Sequence, residues 1–291
     1  MIINHNISAL HAYRHFIANH KAVVSSIEKL SSGMRINRAA DDAAGLAISE
    51  RMRAQIRGLE MAQRNAQDAI SLIQTAEGGL HETHAILQRM RELAVQSAND
   101  TNTEADRKAL QEELDQLIEE LDRIAKSTEF NTKNLLGATD SEGNFTGEAQ
   151  SFTFHIGANQ GQNVTLVIRS MNTGSLGKNN NGNFISIASL KSDGILTQEN
   201  ADQAISVITG AIDMVSSERS KLGAMQNRLE HTINNLSTSV ENLTAAESRI
   251  RDVDMAKEIM EFTKNSILAQ AAQAMMAQAM QMPQGVLHLL Q

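Results

Sequence analysis

The chain has 291 residues, a formal net charge of −8, one Pro, one Tyr, seven Phe and neither Cys nor Trp. Without Cys it has no disulfide framework and no thiolate nucleophile or metal ligand, and its acidic balance argues against a general nucleic-acid binder. Ordinary chains carry roughly 5% Pro, so a single proline points to long helices, where proline is costly.

The N-terminal segment lacks the basic region and continuous apolar run of a cleavable signal peptide. Its apolar residues recur at seven: Ile3, Leu10, Ile17 and Val24 form one row, and Ile27 and Met34 continue on the neighbouring one. From Ile48 to Ala94 the apolar residues recur every three or four positions, including Met52, Ile56, Leu59, Ile70, Ile73, Leu80, Leu87 and Met90. That is a helix face sustained long enough for coiled-coil packing. A polar gap at Thr83 and His84 interrupts it, and Gly58, Gly78 and Gly79 weaken it locally. Asn99 to Thr103 reads as a turn with Thr103 as N-cap, followed by a helix through Leu110, Leu114, Leu117, Leu121 and Ile124.

Nine of the 17 glycines fall between Gly137 and Gly194, together with four of the phenylalanines. This window reads as the one β-module. Phe152 to Ile156 and Val164 to Ile168 are strands of a hairpin, and Lys178 to Asn183 is a loop-like run. A third long helix follows, marked by Ile205, Ile208, Ile212, Val215, Leu222, Leu229, Ile233, Leu236, Val240 and Leu243. Residues 255–281 are rich in Ala, Met, Gln and Ile, and Pro283 is expected to end that helix. No stretch has the roughly 18 continuous apolar residues of a membrane span. Residues 265–291 carry no Asp, Glu, Lys or Arg, but glutamines interrupt them. The fold class is therefore mainly α, with long antiparallel coiled-coil-like helical rods, paired terminal helices and one small β-hairpin module. Apolar stripes at both ends must pack on each other, on neighbouring copies, or both.

No enzyme constellation is complete. His81-Glu-Thr-His84 lacks the second histidine at position 85 that the zinc-protease pattern requires. His11, His15 and His20 have no acidic third ligand nearby. Gly174 to Lys178 fails the phosphate-loop pattern, because Asn172 and Asn179 occupy two required positions. Glu112, Glu113, Glu119 and Glu120 suit a solvated helix face, and the methionines near position 280 suit packing. Asn163-Val-Thr165 is a weak glycosylation sequon. No cofactor or metal is expected.

Three stretches carry a family resemblance. They are Glu28-Lys-Leu-Ser-Ser-Gly-Met-Arg-Ile-Asn-Arg-Ala-Ala-Asp-Asp-Ala-Ala-Gly-Leu-Ala-Ile-Ser49, Leu87-Gln-Arg-Met-Arg-Glu-Leu-Ala-Val-Gln-Ser-Ala-Asn99, and the segment from Leu222 through Ala246-Glu-Ser-Arg-Ile-Arg-Asp-Val-Asp-Met255. With Gln278 to Leu287, they make the chain resemble bacterial flagellin over residues 1 to about 136 and 195–291. The resemblance implies an inner, channel-lining domain of residues 1–40 plus 254–291. It implies an outer α-helical rod domain of 41–136 plus 195–253, and a short variable segment, 137–194, containing the hairpin. Because that segment is short, the resemblance implies that large outer domains should be absent.

It further implies polymerisation of many copies into an extracellular filament for motility. The subunit would be exported unfolded through the flagellar type III channel and assembled at the tip, its termini folding on assembly. Implied partners are the cap and hook–filament junction proteins, an export chaperone and a host innate immune receptor, with no nucleic acid and no membrane insertion. Arg89, Leu93 and Glu113 match receptor-binding or axial-contact positions. Inner-domain assembly would draw on Ile3, Leu10, Ile17, Val24, Ile27, Met34, Ile267, Met275, Met280, Val286 and Leu287. Ala40, Met280, Met282, His288 and Gln291 depart from the common flagellin pattern. A hook–filament junction protein is the alternative reading, and an enzyme displayed in the variable segment is a third.

Overall fold

The structure is a computed structural model and describes residues 6–137, 145, 148–180, 183–191 and 194–289. Five helices dominate: α1 (Ile7–Ser32), α2 (Ala43–Ser97), α3 (Glu104–Ser127), α4 (Gln198–Arg251) and α5 (Met255–Leu289). Between α3 and α4 lie three antiparallel strand pairs: β1 (Glu129–Phe130) with β2 (Lys133–Asn134), β3 (Gln150–His155) with β4 (Asn163–Ile168), and β5 (Gly177–Asn180) with β6 (Asn183–Ser186). The chain divides into two compact units, residues 1–57 plus 240–291 and residues 58–239.

In the first unit, α1 and α5 pack together and antiparallel. Asn6 caps α1 by accepting the Ala9 N–H at 3.0 Å. Gly33 ends the helix with φ of 70°, a left-handed conformation that glycine adopts without steric cost. The next residues are tied to the segment between α4 and α5. Arg35 N–H donates to the Arg251 carbonyl at 2.7 Å, and Val253 N–H donates to the Gly33 carbonyl at 3.1 Å. Asp41 accepts the N–H groups of Asn37 and Arg38 at 3.0 and 2.9 Å, which closes the turn into α2. Asp42 accepts the Gly45 N–H at 2.8 Å in the first turn of that helix.

In the second unit, one core joins α2, α3, α4 and the β-segments. It includes Ile73, Leu80, Leu87, Met90, Leu114, Leu121, Ile168, Met171, Ile208, Val215 and Leu222. Thr83, in the polar gap of the apolar row, is buried within α2. Its hydroxyl donates to the Gly79 carbonyl at 2.9 Å, so a buried polar side chain is satisfied within its own helix. Gly79 serves a close approach: a Cβ there would stand 2.8 Å from both Thr128 Oγ1 and Leu136 Cδ1. Thr103 caps α3 in a reciprocal capping box with Asp106.

The β3–β4 hairpin alternates as expected, with Val164, Leu166 and Ile168 buried and the residues between them exposed. Buried polar side chains fix the return path to α4. Asp122 accepts the Thr173 N–H at 3.0 Å and its hydroxyl at 2.9 Å. Gln111 donates to the Leu190 carbonyl and accepts the Ile195 N–H, both at 2.9 Å.

Two expectations are corrected. The window holds more than one hairpin, since β5 and β6 fall within and just after the run Lys178 to Asn183. The Asn-Gly dipeptide at positions 181–182 is the sequence type that suits a two-residue hairpin connection. Pro283 does not end α5, which continues to Leu289. A proline inside a helix leaves the carbonyl four residues earlier without its donor, and here Asn6 Nδ2 donates to that carbonyl, Ala279 O, at 2.7 Å.

Candidate assembly surfaces

The face that α1 turns to α5 repeats at alternating intervals of three and four: Ala9, Ala12, Phe16, Asn19, Val23, Ser26 and Leu30 are buried or half-buried. The facing row of α5 has the same period: Glu258, Phe262, Asn265, Ala269, Ala272, Met276 and Ala279. This is a heptad seam that mixes small and polar side chains with the larger Phe16, Leu30, Phe262 and Met276. Glu258, only 7% exposed, lies 4.0 Å from Lys29 Nζ at one end of it.

A second set of large apolar side chains lies outside the seam. Leu10 is 61% exposed, with Ile17, Val24 and Ile27 about half exposed, while Ile267, Met275 and Met280 are 58–60% exposed on α5. Met34 is half-buried and pairs its backbone with Asp252. Ile3 and the side chains of Val286 and Leu287 lie outside the described residues. The row at seven-residue spacing read from the sequence is thus the uncovered one. The intrachain seam also repeats at seven, through Ala9, Phe16, Val23 and Leu30, but its small and polar members make it a weaker hydropathy signal.

The second surface lies on α2 and α3 in the other unit. Arg89 bridges to Glu113 through Nε and Nη2, at 2.9 and 2.8 Å to the same oxygen, and reaches Glu92 from Nη1 at 3.2 Å. The Glu113 hydrogen bonds, then those to Glu92, raise the pKa of the guanidinium above its ordinary value. Gln88, Arg91, Glu92, Val95 and Gln96 line a shallow groove on the same stretch of α2. Val95 is 52% exposed and was not singled out from the sequence, because one apolar residue off the core row carries no periodic signal. Leu93 is fully buried in the core. In the single chain its side chain is covered, whereas those of Arg89 and Glu113 are about half exposed.

His84 Nε2 lies 3.0 Å from the Gln88 amide nitrogen. Among the described residues there is no cluster of three or more His, Asp or Glu able to hold a metal ion, and no helix long and apolar enough to cross a membrane.

Residues 3–141 match the bacterial flagellin N-terminal helical region, and residues 205–290 match the bacterial flagellin C-terminal helical region. The chain is 55% identical over 304 aligned residues to a flagellin of Bacillus subtilis (strain 168), covering 100% of both. It is 49% identical over 293 residues, again with 100% of both covered, to the flagellar filament 33 kDa core protein of Treponema phagedenis. A solved structure of a putative flagellar hook-associated protein from Vibrio parahaemolyticus shares the fold. Its TM-score is 0.56 at 15% identity, covering 73% of this chain and 100% of that one.

Proposed function

Because the chain belongs to the bacterial flagellin family, we infer that it is a structural subunit that polymerises into the flagellar filament and serves motility. The observation that carries this reading is the uncovered apolar surface of the α1–α5 pair. Leu10, Ile17, Val24 and Ile27 on one helix and Ile267, Met275 and Met280 on the other remain largely exposed after the two helices have packed. An apolar surface of that kind on a soluble chain marks an interaction site. Each such side chain gains about 1.5–3 kcal/mol when fully buried. Copies of the same chain supply the cover, and repeated heterologous contacts that do not close generate a helical polymer.

The reading extends to organisation. Residues 1–40 plus 254–291 form the inner domain lining the filament channel, 41–136 plus 195–253 the outer α-domain, and 137–194 the short surface segment. Arg89 and Glu113, with Leu93 beneath them, organise the patch for axial packing and for an innate immune receptor. The subunit acts outside the cell after type III export, and its other partners are an export chaperone, the cap and the hook–filament junction proteins. Its role is mechanical, with no catalytic step.

Full-length identity to flagellins favours the filament subunit over a hook–filament junction protein, for which only likeness of fold speaks. Electron microscopy after seeding decides between them. Micrometre filaments are expected from the purified chain, and seeds that stay short would overturn the reading.

A further inference from the structure

The only proline of the chain stands inside α5. Pro283 has no N–H, so the Ala279 carbonyl has no donor within the helix, whereas every earlier carbonyl of α5 has one. Ala279 is buried at 8% exposure, which limits replacement of the missing donor by water. Asn6 fills the vacancy. Its Nδ2 donates to the Ala279 carbonyl at 2.7 Å while its Oδ1 accepts the Ala9 N–H at 3.0 Å. One amide thus caps α1 and binds α5. Aspartate or serine caps a helix as well as asparagine does. An ionised aspartate has no donor, and serine is too short to serve both helices.

We propose that Asn6 and Pro283 form a register pin that fixes how the two ends of the chain align in the inner domain. The need follows from the seam. At the Asn6 end the seam offers chiefly small side chains, Ala9 and Ala12 on α1 and Ala272 and Ala279 on α5, so packing there holds the alignment weakly. A single polar position is a known way of fixing register between heptad helices. The opposite end of the pair is held by the backbone bond between Val253 and Gly33. From Gly33 back to Asn6 is 33 − 6 = 27 residues, and from Val253 to Ala279 is 279 − 253 = 26 residues. Both paths therefore span roughly 40 Å of helix, and the pin closes the far end of a strip whose near end is already fixed. Because the proline frees one carbonyl at one position in the described seam, Asn6 has one matched acceptor there.

The pin rests on the filament reading only for the state in which it is measured. The test is a cycle on the full chain: wild type, Asn6→Ser, Pro283→Ala and the double substitution, each read as the critical concentration for growth on seeds. Asn6→Ser keeps the cap and removes the reach to α5. It is expected to raise the critical concentration about tenfold, the equivalent of one shielded hydrogen bond and its orphaned acceptor. In the Pro283→Ala background a backbone N–H returns to position 283, and the same Asn6→Ser change should move the value less than about twofold, well inside a single hydrogen bond's contribution. Equal effects in the two backgrounds, or no effect beside proline, would overturn the pin. A wild-type chain that fails to extend seeds would sink the filament reading instead. The coupling between positions 6 and 283 is then read on the unassembled chain, as the concentration of trimethylamine N-oxide at which its terminal helices fold, followed by circular dichroism. There too a larger effect of Asn6→Ser beside proline supports the pin, and equal effects in the two backgrounds overturn it.

Discussion

Glu218, 1% exposed within α4, accepts the backbone N–H of Arg169 at 3.3 Å and pairs with Lys221 Nζ at 3.0 Å. This buried carboxylate ties the end of β4 to the long helix. Glu218→Ala removes the acceptor for both groups and is expected to destabilise the unit of residues 58–239 by about 1–3 kcal/mol. Glu218→Gln keeps a carbonyl oxygen for Arg169 and should cost less. Thermal unfolding by calorimetry checks the order, and equal losses would contradict it.

Gly78 and Gly79 are neighbours in α2 with opposite surroundings. A Cβ at Gly78 meets nothing within 4 Å, whereas at Gly79 it meets Thr128 and Leu136. Gly78→Ala should stabilise by up to about 1 kcal/mol through helix propensity. Gly79→Ala should destabilise by about 1–2 kcal/mol, because overpacking against a buried leucine and a hydrogen-bonded threonine outweighs the same gain. Denaturant titration of the two variants should give shifts of opposite sign.

Arg89 and Leu93 should separate when each is changed to alanine. Arg89→Ala removes an exposed cluster of ion pairs and should leave the fold's melting temperature nearly unchanged while weakening receptor signalling by monomer and filament growth. Leu93→Ala opens a cavity in the core and should cost about 2–5 kcal/mol. Retained signalling by both variants would remove the receptor assignment.

Met275 and Met280 are 60% and 58% exposed in the single chain. Met280→Asn and Met275→Gln should therefore leave the melting of the unassembled chain unchanged. The melting temperature of the filament should fall, by an amount reflecting about 1–3 kcal/mol per side chain if each is fully buried between copies. An unchanged filament melting temperature would show that these methionines are not covered by neighbours.

Acid should loosen the turn between α1 and α2. The backbone N–H of Arg38, then that of Asn37, holds the Asp41 carboxyl below its ordinary value of 3.8. A depressed carboxyl contributes stability that is full above its unfolded value and is lost as pH falls through the folded one. The amide resonances of Asn37 and Arg38 should therefore titrate together with a midpoint below 3.8. In Asp41→Asn this shared titration should be absent.

Much of the fold was legible as period and punctuation. The three-to-four spacing from Ile48 to Ala94 lies within α2, Thr103 caps α3 as the turn chemistry indicated, and the alternation at Phe152 and Val164 lies in the paired strands β3 and β4. Pro283 misled because local rules weigh a proline by the hydrogen bond it removes, and the replacement donor lies 273 residues away at the carbonyl of Ala279. At the polar gap, hydropathy could not show that Thr83 is buried, because its hydroxyl is satisfied by the Gly79 carbonyl one turn earlier. The Arg89 cluster came from resemblance, since helical spacing cannot show that Glu113, 24 residues on, lies opposite.

The sequence by itself determined that this is a flagellin built of long amphipathic helices with apolar ends and one glycine-rich β-window. Those features depend on local spacing, composition and recognisable segments. Only the tertiary structure decided which of two adjacent seven-residue rows on α1 is spent inside the chain. Ala9, Phe16 and Val23 line the seam, and Leu10, Ile17 and Val24 stay outside it. A helical period states that a face needs cover; which face a partner more than 200 residues away can cover depends on side-chain volume across the seam. Here the row that includes Phe16 and Leu30 faces α5, and the row of Leu10, Ile17 and Val24 stays uncovered in the single chain.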